Sequence, residues 1–376
     1  MSSNSREELL KKFSVYDTAV DIVSCWEASL NHIYAGEFDR FYFDRFPSLE
    51  SGEKTLTPDF TVFFEDSYGI IGEIKRTFPD DRKAILSELE QIANYDNDLA
   101  LKHAEESYAV PDTCDIVIII EGSSAPQIGT RLQRIITEED EFDFTNNPVL
   151  IRYQFNQDAL MSRYEFQRVT QLEFEFQDED LATENPLSYI LGEDGEYQTL
   201  EVYPEHFTPF KVRKPICNDA PPGPYLATFL WHKIFPEYLN DDQYEVWQAT
   251  NGQKQISVEV SVEDLTEKVN EYMHNGTVRQ IWIRRALDFL CGANLANEEN
   301  DDEYTIRFMG FVQDVGEENI QEGSQELDQT QELANIFIRR YCESVTKEQE
   351  AKIEKYEQDE KEEDTSTEQS GLGDFT

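Results

Sequence analysis

A chain of 376 residues with 39% hydrophobic and 12% aromatic content can build two domains with a sizeable core, which excludes a wholly disordered protein. Its 78 acidic residues outweigh 32 basic ones along the whole length, and the formal charge of -46 sets it apart from basic proteins that neutralise phosphate at low salt. Five dispersed cysteines (Cys25, Cys114, Cys217, Cys291, Cys342) without a Cys-x-x-Cys pair, and five histidines without a helical pair, exclude a readable zinc or iron-sulfur site.

The first predicted element is a helix over about 17–34, with Ala19, Ile22, Val23, Trp26, Leu30 and Ile33 forming an apolar stripe at three and four spacing and Glu27 beside it. Next, Phe38 to Phe46 repeats Phe-Asp-Arg-Phe; its aromatics are expected in the core, and Arg40 and Arg45 either meet phosphate or pair with Asp39 and Asp44. Asp59 to Phe64 and Ile70 to Ile74 read as two strands joined by a turn over Glu65 to Gly69. A turn centred on Asp66 places Asp59 directly across from Glu73, with Lys75 on the same face, because side chains alternate along a strand.

A helix beginning near Pro79 and Asp80 carries Ile85, Leu86, Leu89, Ile92 and Ala93 on its apolar side, while Gln91 and Tyr95, one turn apart, share a face with Glu88. Cys114 to Ile120 has the apolar run of a buried central strand, Gln127 to Ile136 reads as a helix, and 148–155 and 164–169 as strands. These elements predict a mixed α/β domain, a sheet flanked by helices, over 1–175. Residues 176–224 lose periodicity and end in Asp219-Ala-Pro-Pro-Gly-Pro224, the expected linker or extension, though Phe207, Phe210 and Val212 suit packing against the first domain.

Over 225–312 the order is helix, strand, a capping box at Ser261 to Asp264, helix, helix from Thr277 to Cys291, then strand, the order of a winged helix-turn-helix. Arg279, Arg284 and Arg285 fall on the recognition helix, where they suit DNA phosphates or groove edges. The acidic wing from Asn297 to Glu303 opposes that use, and winged helices also dock proteins. The remainder, 313–376, is a long polar helix over about 327–360 and an acidic tail; Leu333, Ile336, Phe337 and Tyr341 either join a second copy or partner subunit or pack on their own domain.

The chemistry concentrates between Pro58 and Tyr95. Phosphodiester hydrolysis needs a positioned water and an electrophile on the nonbridging oxygens, and Mg²⁺ or Mn²⁺, which prefers carboxylate and carbonyl oxygen, meets both needs. Asp59 and Glu73 supply facing carboxylates, the carbonyl of Ile74 a third oxygen, and Lys75 a charge to orient water or stabilise the phosphoryl group. Pro58-Asp59, thirteen residues, then Glu73-Ile74-Lys75 resembles the PD-(D/E)XK nuclease superfamily. Gln91-Ile92-Ala93-Asn94-Tyr95 resembles the Gln-x-x-x-Tyr motif of its RecB-like branch. The resemblance covers roughly 17–120 and implies a restriction endonuclease-like fold, metal-dependent DNA cleavage at Asp59, Glu73 and Lys75, Gln91 and Tyr95 at the same site, and an acidic residue from the first helix, for which Glu27 is the candidate. It also implies a role in restriction, defence or repair.

The grouped cysteines of the iron-sulfur branch are absent, and so is a Gly-x-x-x-x-Gly-Lys-Ser/Thr helicase motif. A strongly acidic chain is repelled by DNA unless its cations gather on one face or salt is high, the Debye length falling to roughly 3 Å at about 1 M. A halophilic host, an ordinary acidic cytoplasmic protein and a nucleic-acid mimic each account for the charge. Two further readings follow: a scaffold that keeps the nuclease fold without catalysis, and a decoy with a continuous acidic surface. Met-Ser-Ser-Asn-Ser-Arg-Glu-Glu has no apolar signal core and no run of 18 apolar residues occurs, so a soluble cytoplasmic protein is expected.

Overall fold

The computed structural model describes residues 3–38, 40–52, 54–75, 82–95, 99–105, 107–138, 148–157, 162–169, 185–192, 198–213, 215–216, 220–250, 252, 254–273, 278–300, 302–309, 322–345, 351–352 and 355–356. The chain divides into two compact units, one of Asp21–Phe210 and one of Met1–Val20 with Lys211–Thr376. Helix α1 (Ser3–Ala28) therefore contributes to both. The divisions fall at 20/21 and 210/211 rather than at 175 and 224, for reasons visible in each unit.

Unit Asp21–Phe210 is built on a mixed sheet. Its strands are β1 (Phe41–Arg45), β4 (Phe60–Phe64), β5 (Tyr68–Lys75), β8 (Thr113–Glu121), β9 (Pro148–Gln157), β10 (Ser162–Arg168) and β11 (Thr199–Val202), and they lie side by side in that order. Two small hairpins, β2 (Leu49–Ser51) with β3 (Lys54–Leu56) and β6 (Leu101–Ala104) with β7 (Ser107–Ala109), stand outside it. Helices α2 (Arg82–Asn94) and α3 (Ala125–Glu138) precede β8 and β9, and α4 (Pro186–Leu191) and α5 (Pro204–Arg213) flank β11. Neighbours β1, β4 and β5 are antiparallel, β5, β8 and β9 parallel, and β9, β10 and β11 antiparallel. The parallel pairs coincide with the helical crossovers, as a parallel connection requires. The expected linker is thus partly sheet: Leu200 and Glu201 of β11 pair with Phe166 and Glu165.

Burial explains the strand composition. The run Ile116 to Ile120 of β8 is wholly buried, Ile116, Ile118 and Ile120 on the face that packs with Ile85, Leu89 and Ile92 of α2. The register Phe60↔Gly72, Thr61↔Ile71, Val62↔Ile70 is centred on Asp66, as the expected turn requires, although Tyr68 and Gly69 belong to β5 rather than to the turn. One step further along the same register, Asp59 faces Glu73. The expected helix start at Pro79 and Asp80 lies outside the described residues.

Gly72 is fixed by its partner. Phe60 is fully buried, stacked on Trp26 of α1 at 5.6 Å and on Phe43 at 5.3 Å, and a Cβ at Gly72 would stand 2.1 Å from its Cε1. Gly72→Ala is expected to destabilise this unit by about 1–3 kcal/mol or more, since the fully buried ring is stacked on two neighbours and has little room to shift. A denaturant midpoint equal to wild type would show that the ring repacks freely.

The second unit holds α6 (Gly223–Phe229), α7 (Asp241–Ala249), β12 (Ile256–Ser261), α8 (Val262–Tyr272), α9 (Gln280–Gly292), β13 (Ala296–Asn300), β14 (Glu303–Phe308) and α10 (Glu322–Ser344). Its sheet is antiparallel with order β12-β14-β13. Ser261 caps α8 by accepting from the Asp264 amide at 3.0 Å, as its sequence predicts. Phe13, Tyr16 and Val20 of α1 belong to this core, which is why the division falls after residue 20. Helix α10 ends at Ser344; 351–352 and 355–356 are again helical, and the rest of the expected span to 360 beyond Val345 lies outside the described residues. Leu333, Phe337 and Tyr341 are buried against their own unit, Tyr341 stacked on Phe289 at 4.7 Å and Phe337 edge-on to Trp231 at 5.0 Å, and Ile336 packs at the margin. Of the two roles left open for this stripe, Leu333, Phe337 and Tyr341 take the packing on their own unit, against α6 and α9. No helix among the described residues is long and apolar enough to cross a membrane.

Candidate active site

The C-terminal end of β5 and the face of α2 that meets it gather five of the predicted residues. Strand alternation puts Ile71, Glu73 and Lys75 on the α2 side of the sheet, opposite Ile116, Ile118 and Ile120 in the parallel register with β8. On α2, Ile85, Leu89 and Ile92 fill the core, so the neighbouring positions Glu88 and Gln91, with Tyr95 just past the helix, are carried toward the strand end. Apolar packing of the helix thereby aims its polar flank.

Glu73 is 6% exposed and saturated with donors. Tyr95 Oη donates to its Oε2 at 2.9 Å, Gln91 Nε2 to its Oε1 at 3.3 Å, and the Lys75 ammonium lies 3.0 Å from Oε1. Gln91 also accepts from Lys75 Nζ at 3.2 Å and stands 3.2 Å from Tyr95 Oη, so its amide links all three. Lys75 Nζ is 2.5 Å from Glu88 Oε2. Asp59 joins through its Oδ2, which accepts the Ile74 amide N–H at 2.6 Å. Ile74 thus meets Asp59 through its N–H, a contact separate from the carbonyl role that the sequence suggests.

Burial raises the Glu73 pKa and the nearby Glu88 charge adds to it, outweighing the opposing pull of Lys75 and Tyr95. Burial alone would lower Lys75, but the charges and hydrogen bonds of Glu73 and Glu88 win and raise it, so it is an ammonium at neutral pH. Tyr95 is pushed up by burial and by Glu73, which keeps it a neutral donor. Asp59, Glu73 and Glu88 bring three carboxyl groups beside the one ammonium of Lys75. That balance and its hard oxygen donors suit a divalent cation of the Mg²⁺ type. Among the described residues no cluster of three or more His, Cys, Asp or Glu is arranged to hold a metal ion, so the fit rests on the Asp59 and Glu73 pair.

Other predicted residues go elsewhere. Glu27 is buried, but its Oε2 lies 3.3 Å from Arg45, whose guanidinium also donates to Ser24 Oγ and to the Phe210 carbonyl, each at 2.7 Å. Arg45 pairs in register with Phe60, the residue stacked on α1, so it and Glu27 occupy the sheet face opposite Glu73. The expectation that Glu27 completes the metal set is corrected on that ground: a buried carboxylate took the nearest buried cation. Of the two roles left open for Arg45, that of carboxylate partner is the one seen, with Glu27.

The arginines expected on a recognition helix likewise do not form one outward surface. Arg284 is bidentate on Asp302, at 2.6 and 2.8 Å, Arg285 is 7% exposed, and Arg279 stands before α9 with its guanidinium 5.1 Å over the Trp282 ring. Consecutive positions 284 and 285 point about 100° apart on a helix, so one of them had to turn toward the core.

Two ionic contacts of buried aspartates have no signal in the sequence. Asp288 of α9 meets Lys352 at 3.1 Å, and Lys211 meets Asp17 at 2.7 Å. Sequence separations of 64 and 194 give no local signal for either. Glu88 was legible as a face-mate of Gln91, but its contact with Lys75 was not. Comparisons with protein-family models, with curated proteins and with solved structures found no match.

Proposed function

We propose that the chain is a metal-dependent deoxyribonuclease whose reaction centre is Asp59, Glu73 and Lys75, supported by Gln91 and Tyr95. The observation that carries this reading is the convergence of all five side chains at one strand end, through the contacts given above. Further support is the order of elements: helix, three antiparallel strands β1, β4 and β5, helix α2, then a strand parallel to β5. That order agrees with the restriction endonuclease-like fold implied by the motif. The helices α6, α8 and α9 with the β12-β14-β13 sheet are in turn read as a winged helix. With Arg284 committed to Asp302 and Arg285 in the core, we assign that unit to docking and place the chemistry in the first unit.

Asp59 and Glu73 would hold Mg²⁺ or Mn²⁺, which when bound polarises the phosphoryl oxygens and acidifies the attacking water. Glu73 is kept in place by Tyr95 and Gln91, both donors to it, so its carboxylate cannot rotate away. Lys75, charged at neutral pH, stabilises the negative charge gathering on the phosphoryl oxygens rather than accepting a proton. The role in restriction, defence or repair follows only from the family resemblance.

The test is cleavage of linear, circular and single-stranded DNA with Mg²⁺, with Mn²⁺, and with chelator. Metal-dependent cleavage is expected; no cleavage of any substrate across low and multi-molar salt would overturn the assignment. A second reading, a scaffold that keeps the fold without catalysis, is favoured by the formal charge of -46, and it predicts no metal binding that depends on Asp59 and Glu73.

A further inference from the structure

Three oxygens surround the Lys75 ammonium: Glu88 Oε2, paired with it by charge at 2.5 Å, Glu73 Oε1 at 3.0 Å and Gln91 Oε1 at 3.2 Å. The shortest contact goes to the residue outside the motif. Glu88 sits one turn before Gln91 on α2, and its side chain is 33% exposed where that of Glu73 is 8%. It is therefore the partner that holds a charge at smaller desolvation cost.

We infer that Glu88 is a positioning residue that shares the charge of Lys75 with Glu73, so that Lys75 can give up Glu73 Oε1 to a divalent cation. The inference rests on the nuclease reading and adds to it a residue outside the motif. A lysine is a point charge on a flexible stem, and with Glu73 as its single carboxylate partner it settles there. Lys75 then acts as an internal cation that competes for Oε1, the oxygen it already touches at 3.0 Å. With Glu88 in place, Lys75 yields Oε1 while its own charge stays paired, so the exchange leaves no buried charge alone. Gln91, which bonds both Lys75 and Glu73, keeps the two within reach of each other.

This role differs from simple attraction of metal by one more carboxylate, and a double-mutant cycle separates them. Mn²⁺ affinity is measured by calorimetry at one neutral pH on the full chain and on Glu88→Gln, Lys75→Met and the double variant, with circular dichroism confirming each fold. Glu88→Gln is expected to weaken Mn²⁺ binding about tenfold, the scale of outer-sphere partners. Lys75→Met is expected to bind at least as tightly as wild type, and adding Glu88→Gln to it to change the affinity by less than about twofold. An equal loss from Glu88→Gln with and without Lys75 would show that Glu88 acts by its own charge, and no loss in either would show it idle; both overturn the inference and leave the nuclease reading intact. Absence of Mn²⁺ binding by all four proteins would remove that reading and the inference together.

Discussion

Glu73→Gln should lower metal-dependent cleavage at least about a hundredfold while the protein melts at or above the wild-type temperature at neutral pH. The activity loss follows from the position of Glu73, whose two oxygens receive Tyr95, Gln91 and Lys75 at the strand end. Glutamine keeps the shape and can still accept from Tyr95, but it offers a cation no charge. The stability gain follows from burial, which raises the Glu73 pKa above its ordinary value of 4.5. A group raised in the folded state contributes stability that is complete below its unfolded pKa and is lost as pH rises through the folded one. Glutamine has no such loss, so the thermal advantage of the variant should grow with pH from the ordinary glutamate range upward. Asp59→Ala and Lys75→Ala should also end cleavage with the fold intact. Retained cleavage in all three variants would sink the assignment, and a Glu73→Gln protein that melts lower at pH 7 than at pH 4.5 relative to wild type would show that its ion pair with Lys75 outweighs burial.

Salt carries the second large effect. A nucleic-acid enzyme of ordinary charge loses affinity as salt rises, because bound cations replace its own. Here 78 acidic residues face a polyanion, and repulsion acts over about 30 Å at 0.01 M salt but over roughly 3 Å at 1 M. Cleavage is therefore expected to be negligible at low salt and to rise toward molar concentrations, the reverse of the usual slope. The melting temperature should rise in parallel, since screening also relieves the self-repulsion of the folded chain. Measuring initial rates and melting at matched salt steps separates the two contributions. Activity that peaks at about 0.01 M and falls thereafter would mean that a local cationic surface, not screening, brings DNA to the site.

Composition and periodicity reached furthest where a residue's fate depends on its near neighbours. The turn centred on Asp66 fixes the Asp59 and Glu73 alignment through strand alternation alone, and helical spacing fixes Glu88, Gln91 and Tyr95 on one face. The Ile116 to Ile120 run, the Ser261 cap and the helix and strand order of 225–308 are local in the same sense. Separations of 14 residues across a hairpin or 4 along a helix leave the chain little freedom.

Contacts between distant segments required the tertiary structure. Glu27 and Arg45 look like a site acid and a phosphate ligand until Phe60 and Trp26 set which face of the sheet they occupy. Strand β11 has a modest alternating pattern, and only pairing with β10 makes 199–202 part of the sheet rather than of a linker. Arg285 and the stripe of α10 were chemically free to meet DNA or a partner, and core packing around Trp231, Phe289 and Phe337 claimed their positions. The sequence by itself determined the spacing of Asp59, Glu73, Lys75, Gln91 and Tyr95, because pleat and helical repeat are properties of the backbone. The tertiary structure alone decided that Lys75 would share its charge between Glu73 and Glu88, because that contact depends on how closely α2 packs against the end of β5.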